Sequence, residues 1–84
     1  MTLLSEITIG ARARFAETIA RVIDADGRVR RWRKIEFAED GGAQVVVELR
    51  AGSSGIAREV IARELEFAVT TALPQLPWVR VQLA

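Results

Sequence analysis

The chain has 84 residues, with twelve Lys and Arg against eleven Asp and Glu, a net charge of +1, and half of its residues apolar. That balance describes one globular domain with no overall attraction for a polyanion. Cysteine and histidine are both absent, which excludes disulfides, thiolate nucleophiles and Cys-held zinc or iron–sulfur groups, and removes the commonest general base and zinc ligand.

The opening MTLLSEITIG lacks the basic start and long apolar run of a signal peptide, and no segment approaches the length of a membrane span. The expected location is the cytoplasm. Residues 1–10 read as a lead-in and 11–84 as a single α-β-β-α-β core. A chain this short buries only about 60% of the surface its unfolded form exposes, so stability is modest and oligomerisation is a natural remedy.

From Ala11 to about Ala25, Phe15, Ile19, Val22 and Ile23 recur at the spacing of one helical face, with Arg14, Glu17 and Arg21 opposite. Asp24, Asp26 and Gly27 supply a stop, Gly27 being suited to a left-handed helix end. From Val29 the apolar period changes to that of two strands joined by a tight turn at Asp40, Gly41 and Gly42. If Ile35 and Phe37 point inward, so do Val45, Val47 and Leu49, leaving Trp32, Lys34, Glu36, Val46, Glu48 and Arg50 on the other face. In the loop AGSSG, Ser53 or Ser54 is the expected N-cap of a helix from about Ile56 to Leu73. Its apolar stripe is Ile56, Val60, Ile61, Leu65, Ala68, Val69 and Ala72, and Glu59 and Arg63 would pair weakly on its flank. Pro74 and Pro77 end it, and in the final strand WVRVQL Val79, Val81 and Leu83 alternate with Trp78, Arg80 and Gln82. The expected fold is a two-layer α+β domain, two helices on one face of a three-stranded sheet and the other face open.

The run RVRRWRK, residues 28–34, is the most unusual stretch. On a regular strand Arg28, Arg30, Trp32 and Lys34 share one side while Val29, Arg31, Arg33 and Ile35 share the other, dividing the charge, and Glu36 and Glu48 offset part of it. A nucleic-acid surface of Arg28, Arg30, Arg31 and Arg33 is therefore the second reading, not the first. GSSG matches the GxxG loop of KH domains only superficially, because no helix precedes it, and a strand-to-helix turn explains it. Asp24, Asp26, Glu39 and Asp40 are the best acid, base or hard-cation candidates, but turn chemistry accounts for them. The chain reads as a non-enzyme without a cofactor beyond weak divalent-cation binding. Trp32, Val46, Trp78 and Arg80 form the expected interface of a homodimer or docking domain, since aromatics and arginine dominate such surfaces. Phe67 falls off the stripe of the second helix.

The stretches IARVIDADGRVRRWRKIEFAEDGGAQVVVEL and REVIARELEFAVTTALPQLPWVRVQL together resemble the cytosolic C-terminal domain of cation diffusion facilitator transporters, over about residues 15 to 83. The resemblance implies a ferredoxin-like regulatory domain that pairs as a V-shaped homodimer beneath a membrane transporter, drawn together in that family by divalent cations such as zinc. The family often has histidine at positions matching Arg33, near Glu48 or Leu49, and at Gln82, so the resemblance implies a metal site degraded or absent in this chain. Arginine presents only donors and cannot ligate a metal. Arg33 would instead hold a permanent positive charge where the family places an ion, and Glu48 with Asp40 or Glu39 is left as a weak hard-cation candidate. Two other families share the element order. One is the domain associated with iron–sulfur assembly, which uses cysteine where this chain has Ser53 and Ser54. The other is the alkaline-shock-protein family of structural and membrane-associated partners.

Overall fold

A computed structural model describes residues 2–52 and 55–84, with side chains from Gly10 onward. The chain folds as α1 (Thr2–Asp24), β1 (Val29–Phe37), β2 (Ala43–Leu49), α2 (Gly55–Ala72) and β3 (Val79–Leu83). Both helices pack on one face of a three-stranded sheet, the α+β arrangement that the change of apolar period predicts. The expected serine cap at Ser53 or Ser54 lies outside the described residues.

α1 starts at Thr2, so residues 2–10 belong to the helix and are not a lead-in. Ile7, Thr8, Ile9 and Gly10 are weak helix formers that hide the start, but a helix nucleated downstream propagates through them at little cost. The end of α1 also departs from expectation. Gly27 is not left-handed; among the described residues the positive-φ glycines are Gly41 at 92° and Gly52 at 103°. Tight backbone bonds finish the helix, from Asp26 N–H to Ile23 O and from Val29 N–H to Asp26 O, both 3.1 Å. The Asp26 side chain then accepts the Arg28 N–H at 2.9 Å, a side-chain turn that makes a left-handed residue unnecessary.

The β1–β2 hairpin closes through Ala38 N–H to Gly42 O at 2.9 Å and Gly41 N–H to Ala38 O at 3.0 Å. Gly41 carries the positive φ that this turn requires. β2 is central, antiparallel to β1 and parallel to β3. A parallel neighbour needs a crossover, and α2 is that crossover. α1 lies against β1, α2 against β3, and the helices touch each other.

Ile19 and Ile23 of α1, Val45 and Val47 of β2, and Leu65 and Val69 of α2 are the largest fully buried side chains, each stabilising the fold by about 1.5–3 kcal/mol. The stripe expected on α2 divides in two. Ile61, Leu65 and Val69 enter the core, whereas Ile56 and Val60 are 81% and 50% exposed. A three-stranded sheet is too narrow to cover more than one side of a helix, so the second apolar side of α2 faces outward.

The outer edge of β3 is partly closed by a side chain. Trp78 O and Ala84 N–H bond to β2, so the even-numbered backbone of β3 faces inward. The Val81 N–H points outward and donates to Glu66 Oε2 of α2 at 2.8 Å. A carboxylate from the crossover helix thus occupies the middle donor of an edge where another chain could pair.

Candidate interaction surfaces

β1 is the other edge strand, and its pairing with β2 shifts twice, between Val29 and Arg31 and between Trp32 and Lys34. Each shift inserts one extra residue, Arg30 and then Arg33, and each resets the alternation of side chains. The charge is consequently not divided between the two faces as a regular strand would divide it. Arg30, Arg31 and Arg33 all converge on one carboxylate, Glu48 of β2, at 3.4, 3.1 and 3.8 Å. Three guanidinium groups share one carboxylate, and the hydrogen bond from Arg31, followed by the charges of Arg31, Arg30 and Arg33, holds the Glu48 carboxyl below its ordinary range. Bulges and cations are also how natural sheets guard an exposed edge against strand addition.

Arg28 does not join this cluster. Its guanidinium binds Asp26 at 2.7 Å and Glu64 of α2 at 2.6 Å, fastening the turn after α1 to the second helix. The bond to Arg28 is the main reason the Asp26 carboxyl sits below its ordinary range. Of the four arginines expected to form a nucleic-acid surface, the structure brings together three.

The same bulges relocate Trp32. It pairs in register with Val47, a core-facing position, and is therefore not on the open face where a regular strand would put it. Val46, Arg80 and Trp78 keep the expected side. Val46 is half-buried among polar neighbours: it lines a shallow depression with Lys34, Glu36, Gln44 and Gln82. In that depression Lys34 pairs with Glu36, and the Gln44 side-chain amide donates to Gln82 at 2.7 Å. Arg80 is exposed beside Gln44 in the register. Trp78 lies at the end of the face over Gly42, and its Nε1 donates to Asp40 Oδ2 at 2.7 Å while Asp40 Oδ1 accepts the Gly42 N–H at 2.9 Å. These bonds, the one from Trp78 first, hold the Asp40 carboxyl below its ordinary range. The open face is therefore a polar surface with one indole clamped at its margin.

The most exposed large apolar side chains are elsewhere. On α2, Ile56, Val60 and Phe67 are 81%, 50% and 74% exposed, and with Arg63 they follow offsets of four, three and four residues. At about 100° per residue these positions lie roughly half a turn from Ile61, Leu65 and Val69. Sequence reasoning flagged only Phe67. The phase opposition of Ile56 and Val60 to Ile61, Leu65 and Val69 was the available signal for the rest.

Three of the candidate hard-cation residues are otherwise engaged: Glu48 by arginines, Asp26 by Arg28, and both oxygens of Asp40 by the hairpin and Trp78. Among the described residues, no group of three or more Asp or Glu side chains is gathered as a metal site would require. Nor, among them, is any helix long and apolar enough to cross a membrane. No family model, no curated protein and no solved structure matches the chain.

Proposed function

We propose that this chain is a self-associating regulatory module that works through its surfaces and not through a reactive centre. Its expected setting is the one implied by the resemblance to the cytosolic domain of cation diffusion facilitators: a cytoplasmic homodimer, with a membrane transporter as a further partner and a degraded cation site. The observation that carries self-association is the exposure of Trp32, Ile56, Val60, Phe67 and Trp78 in a domain of only 84 residues. Three of these, Ile56, Val60 and Phe67, share one side of α2, and an apolar patch on an exposed surface favours association. Sedimentation equilibrium in chelator, repeated with zinc, tests it. A dimer in chelator supports pairing without an ion, a dimer formed only with zinc supports the cation-responsive form, and a monomer in both sinks the proposal.

Polyanion binding is a second reading, favoured by the convergence of Arg30, Arg31 and Arg33 on the single carboxylate of Glu48. Binding of a single-stranded oligonucleotide should then weaken steeply as salt rises. No measurable binding at low salt refutes it.

A further inference from the structure

The outward face of α2 has a symmetry of its own. The positions of Ile56, Val60, Arg63 and Phe67 are spaced alike in either direction along the helix, their offsets being four, three and four. We infer that this stripe is the self-association surface, and that two copies of the chain pair through α2 packed antiparallel about a twofold axis level with the midpoint between Ile61 and Ala62. The assignment rests on the self-association proposed above and says which surface serves it.

The geometry follows from helix rise and phase. About that axis Ile56 of one copy comes level with Phe67 of the second, and Val60 with Arg63, whose aliphatic stem can lie along the valine while its charged end stays wet. Such a contact is isologous, which is the symmetry that closes a dimer. The charges fit as well. Arg63 and Glu59 lean to the same flank of the stripe, and in the antiparallel arrangement Arg63 of each copy is within one residue's rise, about 1.5 Å, of the level of Glu59 of the other. Two Arg and two Glu therefore alternate around the axis. Glu64, on the opposite flank, is already neutralised within its own chain by Arg28 at 2.6 Å. Beside the stripe, Val60 and Phe67 border a shallow groove of about 670 Å³ walled by Asp26, Arg28 and Glu64.

The alternative seat, the open sheet face, is less suited to it. Val46 is ringed there by Lys34, Glu36, Gln44 and Gln82, whereas Ile56 and Phe67 are the most exposed large apolar side chains described.

The test compares the full chain with the double variant Val60→Glu, Phe67→Glu by sedimentation equilibrium. Both positions are at least half exposed, so far-UV circular dichroism should be unchanged, while dimer affinity should fall at least about thirtyfold. A second measurement does not depend on that variant folding. The chain has no cysteine, so an equal mixture of Val60→Cys and Arg63→Cys chains should form a mixed disulfide on oxidation, since facing positions meet within bonding reach. Arg80→Cys, on the open face, should stay uncrosslinked. A dimer that survives the double glutamate variant, or that crosslinks through Arg80→Cys instead, overturns the α2 surface while leaving self-association standing. A full chain monomeric at every concentration overturns both.

Discussion

Gly42 is the position where one added carbon should cost most. A Cβ there would stand 1.9 Å from Trp78 Cε2, 2.3 Å from Nε1 and 2.4 Å from Cδ2, against an ordinary contact of about 3.5–4.0 Å. The indole would have to retreat by about 1.6 Å or more to reach that range, which breaks its 2.7 Å bond to Asp40. The backbone of Gly42 is not left-handed, so alanine is conformationally acceptable, and without the indole it should stabilise by about 0.4–1 kcal/mol through the unfolded state. With Trp78 in place, overpacking of a few atoms costs about 1–3 kcal/mol. Gly42→Ala should therefore destabilise the native chain and stabilise the Trp78→Ala chain, a reversal of sign with a coupling of about 1.4–4 kcal/mol. Urea titrations of the four proteins by far-UV circular dichroism measure it; at about 1 kcal/mol per molar urea the midpoint of Gly42→Ala should drop by about 1–3 M. Equal effects of Gly42→Ala in both backgrounds would refute the claim that Trp78 fixes this turn.

Acid should weaken the fold through three carboxylates. Asp26, Asp40 and Glu48 are each held below the ordinary range, chiefly by hydrogen bonds from Arg28, Trp78 and Arg31. Their stabilisation is complete above the unfolded-state values and is lost as pH falls through the folded ones. The urea midpoint should drop below about pH 4 and the drop should shrink in Asp26→Asn; a midpoint identical at pH 7 and pH 3 contradicts this. Glu66→Ala should cost about 1–2 kcal/mol by orphaning the Val81 N–H and should raise concentration-dependent aggregation in light scattering, whereas Glu66→Gln, which keeps an acceptor, should do neither. Glu48→Gln should delay elution from a phosphate-bearing column by releasing three arginines from their shared carboxylate, and unchanged elution would show that this cluster is not the polyanion surface.

Element types and order were legible because the period of apolar residues changes from helical to alternating after Gly27, and because Asp40, Gly41, Gly42, Pro74 and Pro77 punctuate the chain. The bulges were not. Bulges often show as a glycine in a strand pattern, but RVRRWRK contains none, and the extra residues Arg30 and Arg33 look like their neighbours. That one omission put Trp32 on the wrong face and split an arginine cluster that the structure gathers on Glu48. The outward stripe of α2 was hidden for another reason: Val60 and Ile61 are adjacent and merge into one broad apolar stripe in the sequence, and only the width of the sheet decides which side of it is covered.

The mixed sheet also implies an order of assembly. β1 and β2 close across a short turn, whereas β3 reaches β2 only after the whole of α2 has been laid down between them. Loop closure costs more entropy for the longer connection, and pairings distant in sequence form late. The hairpin should therefore precede the docking of β3 in refolding. Trp78 is the residue that enters β3, and its indole comes to rest on the hairpin turn at Gly42 and Asp40. The chain thus carries an optical clock for its own last step: in a Trp32→Phe background, the change in fluorescence of one indole times the arrival of the final strand.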